Sequence, residues 1–135
     1  MPDEWLTDEE VAFRLFQSAR SKHERRNLEF DLKYNDVLRQ VRKGVCAQTG
    51  LPFDMRAQLR GELARPFRAS LDRIDNHRGY LPDNIQVVSK IYNTAKFCWA
   101  AADALKMARA LVEQNERRQE EIVRKYLGHK QGDLL

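Results

Sequence analysis

Within "SLDRIDNHRGYLPDNIQVVSKIYNTAK", residues 70–96, one carboxylate and one amide stand where they could hold a cation together. Asp72 lies in an extended run, whose alternation puts Asp72 and Ile74 on one face and Arg73 and Asp75 on the other. Asn93 lies in a helical run, with Lys90 and Lys96 three residues to either side of it. If that helix lies across the strands, the Asp72 carboxylate and the Asn93 amide oxygen converge. Such an all-oxygen set, completed by water, suits Mg²⁺ or Mn²⁺. An ion held there on a phosphate would neutralise charge developing on a leaving oxygen. Arg73, Lys90 and Lys96 would hold neighbouring phosphates, the arginine in bidentate fashion.

The elements that must position these residues can be read from local pattern. "ASLDRID", 69–75, is a strand candidate, "NHRGYLPDN" a connection punctuated by Gly and Pro, and "IQVV", 85–88, a second strand. From Ser89 to about Leu127 the sequence favours helix, with a break near Phe97 to Trp99. Upstream, Thr7 and Glu10 form a capping box that opens a helix running to about residue 25. "NLEFDL", 27–32, reads as a short extended piece. "YNDVLRQVRKG" gives a second helix with Asn35 as cap and Gly44 as stop. "VCAQTGLPFD", 45–54, reads as a small hairpin, and residues 55–68 as an arginine-rich loop.

Composition bounds the rest. At 135 residues the chain is most simply one domain with appendages. Charged residues make up 33% and mean hydropathy is −0.69, and no apolar run approaches the roughly 20 residues of a membrane helix. The acidic start "MPDEWLTDEE" has no secretory pattern, so no membrane partner is expected and the cytoplasm is the default compartment. Net charge is only +4, but the bases cluster in "RSKHERR", in "RAQLRGELARPFR" and around the central motif. A basic central face follows, with Arg68 and Arg78 as further nucleic-acid contacts. Cys46 and Cys98 lack the spacing of a zinc site, so no structural zinc is expected, and both read as reduced, semi-buried thiols. His23 and His129 read as surface residues, Trp5 and Trp99 as core. Leu105, Ala108, Val112, Ile122 and Tyr126 form an apolar stripe for packing on the domain's own core or for a homodimer through the C-terminal helices.

Residues 44–96 resemble the HNH endonucleases of the His-Me finger (ββα-metal) superfamily, in particular small proteins common in phage genomes. "SLDRID", "GY", "DNIQVV" and "N..K" occur in order at suitable separations, and the upstream "SARSKHERRNLEFDL" is similar to the usual lead-in. The resemblance implies that Asp72 is a metal ligand, that Asn84 fixes the inter-strand loop, and that Asn93 completes the metal site. It departs from the family at Arg73, where most members carry the histidine that serves as general base. Arginine has no acceptor and cannot take that role. Asp75 matches the histidine position of the related "DRGH" nucleases, and His77 stands two residues further on, so either could supply the base.

The expected protein is therefore an α+β domain: N-terminal helices (1–43), a ββα-metal core with its small hairpin (44–97) and a C-terminal helical extension (98–135). The expected function is divalent-metal-dependent hydrolysis of DNA phosphodiester bonds. The alternatives are a nucleic-acid-binding module of the same fold with weak or lost catalysis, and a helical interaction protein that docks a larger complex.

Overall fold

A computed structural model describes residues 4–133, with side chains described as far as residue 128; the His129 side chain lies outside them. The chain forms two compact units, Met1–Cys98 and Trp99–Leu135.

In the first unit, helix α1 spans Asp8–Arg26. Its start is the reciprocal box expected from the sequence: the Glu10 amide donates to Thr7 Oγ1 at 3.1 Å, and the Thr7 amide donates to Glu10 Oε1 at 3.3 Å. Acids fill its first turn and bases its last, which suits the helix dipole. Asn27, with a left-handed φ of 52°, ends it. Helix α2 spans Tyr34–Val41. Asn35 is not its cap: the Asp36 carboxylate instead reaches back to accept from the Lys33 amide at 2.9 Å, so the helix begins before Asn35. Gly44, at φ 73°, carries the turn that follows.

The segment 45–54 folds back as expected, with a Val45–Pro52 bridge and a bond from the Cys46 amide to the Leu51 carbonyl of 2.8 Å. Strands β1 (Ala69–Arg73) and β2 (Ile85–Ser89) pair antiparallel, with Asp72 opposite Gln86. Helix α3, Lys90–Lys96, leaves β2 directly, capped by Ser89 Oγ, which accepts from the Tyr92 amide at 3.4 Å. Phe97, with φ 47°, ends it where the sequence places a break.

Every residue of β2 is buried, because α2 and α3 both pack on it, while β1 meets α1 and α3. Val11, Ala12 and Ala19 of α1 join Val37 and Val41 of α2 and Val87 and Val88 of β2 in one core. Burying each of these valines contributes roughly 1.5–3 kcal/mol. This mixture of helices and a two-stranded antiparallel sheet is α+β, as expected.

Several surface expectations are corrected. His23 is half-buried: its ring lies 4.9 Å from that of Phe30, and Nδ1 donates to the Leu28 carbonyl at 2.6 Å. Trp5 and Trp99 are exposed rather than core, and so is Cys98; only Cys46 is buried.

The second unit carries helix α4, Ala101–Asp133. Asp103 accepts from the Ala100 amide ahead of its first turn, at 3.3 Å. Leu105, Val112, Ile122 and Tyr126, assigned from the sequence to a packed stripe, are exposed. No helix among the described residues is long and apolar enough to cross a membrane.

Candidate active site

Strand alternation sends Ser70 and Asp72 toward α3, where Asn93 and Lys96, three residues apart, face them. Asp72 is 4% exposed and Lys96 1%. The Lys96 ammonium lies 3.0 Å and 2.9 Å from the two carboxylate oxygens of Asp72. It donates also to the Arg73 carbonyl at 2.7 Å and approaches the Ile74 carbonyl at 3.4 Å. On the other side, Gln86 Nε2 donates to Asp72 Oδ2 at 2.9 Å, and Gln48 Nε2 donates to Gln86 Oε1 at 2.8 Å. The carboxylate is therefore neutralised and hydrogen-bonded inside the fold, the condition under which a buried charge is tolerated.

Two expectations change with this. Lys96 cannot hold a phosphate, because its charge is enclosed and spent on Asp72. Asp72 and Asn93, side by side on the two elements as the sequence suggests, do not form an open donor pair: Asn93 Nδ2 donates to Ser70 Oγ at 2.8 Å and to the Leu71 carbonyl at 3.2 Å. The test for Mg²⁺ or Mn²⁺ is whether oxygens remain for it. Four oxygens around Asp72 already surround an ammonium, and no group of three or more His, Cys, Asp or Glu among the described residues is placed to hold a metal. As arranged, these residues do not fit a divalent ion.

The connection between the strands is held by Asn84, which is 1% exposed. Its Oδ1 accepts from the Asp75 amide at 2.8 Å, and its Nδ2 donates to the carbonyls of Asp75 (3.1 Å) and Gly79 (2.9 Å). This clamp ends strand pairing at Arg73, so β1 is shorter than the expected 69–75. Arg73 braces the same loop from below. Its Nη1 donates to the carbonyls of Asn76 (2.9 Å) and Arg78 (2.8 Å), and its guanidinium lies 5.7 Å from the Tyr80 ring centre. One nitrogen of the Arg73 guanidinium, Nη1, is thus occupied with loop carbonyls.

The clamped loop displays Asp75 and His77, both exposed. Asp75 Oδ1 accepts from the His77 amide at 2.8 Å, a side-chain turn that fixes their spacing. Arg78 pairs with Asp83, its Nη2 3.1 Å from each carboxylate oxygen. Lys90 and Arg68 are half-buried and line a recess against α1. That recess brings in Arg14 and Lys22, which were not singled out from the motif. Their signal was available as Arg14, Ser18 and Lys22, a polar row at i, i+4, i+8 along one helix.

No family model matches the chain. Over 81 residues it is 36% identical to an uncharacterised 29.0 kDa protein encoded in the dda–modA intergenic region of Enterobacteria phage T4. The match spans 60% of this chain but only 30% of the phage protein. Among solved structures, the fold is similar to that of the rare-cutting HNH restriction endonuclease PacI, with a TM-score of 0.55 and 17% identity. That likeness covers 86% of this chain and 92% of the PacI chain. It is a likeness of fold, in agreement with the HNH-like architecture expected from residues 44–96.

Proposed function

We propose that this chain is an endonuclease acting on DNA phosphodiester bonds through an HNH-like strand–loop–strand–helix unit. The observation that carries the reading is the Asn84-clamped loop between the two strands, which holds His77 exposed on the same compact unit as the basic recess of Arg68 and Lys90. Its fold is that of a protein known to cut DNA. In this reading His77 is the base toward the attacking water, since histidine is the side chain suited to proton transfer near neutral pH. Asp75 orients the turn that carries it. Arg68 and Lys90 hold the backbone.

A second reading is favoured by a specific observation: Asp72 is locked by Lys96, and Arg73 replaces the usual histidine. It makes the chain a DNA-binding module of the same fold with weak or lost catalysis. One experiment separates the two. Supercoiled, linear and branched DNA are incubated with the protein in Mg²⁺, in Mn²⁺ and in EDTA. The endonuclease reading expects nicked product that His77→Ala reduces by about 10²-fold or more. The binding-only reading expects salt-sensitive DNA affinity with no product in any condition. Cleavage that His77→Ala leaves unchanged removes His77 as the base.

A further inference from the structure

Four cations of the first unit that form no ion pair among the described residues meet around one recess. Arg14, Ser18 and Lys22 project from successive turns of α1, and Arg68, Ser70 and Lys90 close the far side, around a volume of about 170 Å³. No acidic residue lines it. Arg14, Lys22, Arg68 and Lys90 take part in no ion pair among the described residues, whereas Arg78 and Lys96 are both committed to carboxylates. Four like charges around one recess create a positive potential that concentrates anions there.

Two further observations point to a ligand. The Nε of Arg68 is buried without a hydrogen-bond partner among the described residues, a donor whose desolvation is unrepaid in the free protein. Lys22 is held below its ordinary value of 10.5, by burial first and then by the charges of Arg26, Lys90, Arg25 and Arg73. An anion in the recess would offset the like charges around Lys22. The two serines add neutral hydroxyl donors of the kind that phosphate oxygens accept.

We propose that this recess is a phosphate-binding site, built by Arg14 and Lys22 of α1 with Arg68 and Lys90, that seats a backbone phosphodiester of DNA. The proposal deepens the reading of the chain as a DNA-cutting protein and rests on it for the identity of the phosphate's owner. Ser70, which lines the site, is held by a hydrogen bond from Asn93 Nδ2 of α3 at 2.8 Å, and Tyr80 at the end of the clamped loop lines it as well.

The test uses the full chain. Arg14→Gln, Lys22→Gln and the double variant are compared with Arg39→Gln, a loss of charge on the exposed surface of α2 equal to that of either single variant. Binding of labelled duplex DNA is measured by anisotropy against salt, and thermal stability is followed in increasing inorganic phosphate. Each recess variant is expected to weaken DNA binding roughly threefold or more and the double variant about tenfold, and the double variant is expected to flatten the log–log salt slope by about 1.8, the Arg39→Gln protein changing little. Removing Lys22 relieves like-charge repulsion, so its melting temperature is expected to hold or rise. If inorganic phosphate stabilises the wild type but not the double variant while DNA binding is unchanged, the pocket takes free phosphate and the DNA assignment is overturned. If neither ligand distinguishes the recess variants from Arg39→Gln, the site itself is overturned. DNA that binds through the recess and is never nicked removes the endonuclease reading and leaves the site standing.

Discussion

The ammonium of Lys96 and the carboxylate of Asp72 form an enclosed ion pair, 2.9 Å apart, at the point where β1 meets α3. The lysine also bonds the Arg73 carbonyl, so one side chain ties together the carboxylate, the strand end and the start of the loop. Removing either partner leaves a buried charge alone, at a cost of about 3–5 kcal/mol, whereas replacing both with apolar residues is far milder. Lys96→Met and Asp72→Leu are each expected to show that loss in chemical denaturation, and the double variant to recover much of it. Additive losses would mean the pair is not the unit described.

Asn84 makes three bonds to loop backbone from a fully buried position. Asn84→Ala is expected to cost about 1–3 kcal/mol, because the Asp75 amide and Gly79 carbonyl lose their partners. Hydrogen exchange should quicken at residues 75–79 more than in α1. Unaltered exchange there would show that the loop is held by other contacts.

Gly79 packs against the backbone of Glu29, close enough that an added Cβ would collide with it. The neighbouring bonds, Tyr80 amide to Glu29 carbonyl at 2.9 Å and Asp31 amide to Tyr80 carbonyl at 3.0 Å, hold the two segments together. Gly79→Ala therefore forces these segments apart, with an expected loss of about 1–3 kcal/mol or more. A melting temperature equal to wild type would contradict that packing.

The Tyr92 hydroxyl is buried without a hydrogen-bond partner among the described residues, and burial, with the charges of Asp72 and Cys46, raises its titration above the ordinary value. Tyr92→Phe removes an unsatisfied polar atom and keeps the ring. The variant is expected to be neutral or to gain up to about 1 kcal/mol, measured by urea denaturation. A loss above that size would reveal a partner for the hydroxyl.

Asp54 is held below its ordinary value of 3.8, first by the hydrogen bond from the Arg56 side chain, against the opposing effect of burial. A carboxylate depressed in the folded state contributes stability above its unfolded value and loses it as pH falls through the folded one. Asp54→Asn is therefore expected to be less stable than wild type at pH 7, with the gap closing below about pH 4. A gap that persists unchanged at low pH would assign the effect to packing instead.

The order of the elements was legible in local pattern. The Thr7–Glu10 box, the strand–turn–strand pattern of 69–88 and the helix stop near Phe97 all act between close neighbours along the chain, so their chemistry is visible in short windows. The sequence also brought Asp72, Asn84 and Asn93 to one unit of structure. Asn35 as a cap failed because the helix begins at Tyr34, which puts Asp36 three residues past Lys33 and in place to accept from its free amide. What only the tertiary structure decided was partnership. Lys96 and Asp72 are 24 residues apart, and whether that lysine faces phosphate or carboxylate depends on how α3 lies on β1. Arg73 gives Nη1 to two loop carbonyls that close on it only in the fold. Arg14 and Lys22 gain meaning only when α1 packs beside β1 and sets them opposite Arg68 and Lys90. Local propensity is fixed by adjacent atoms, but a charge takes its role from whatever the fold places within a few ångströms of it.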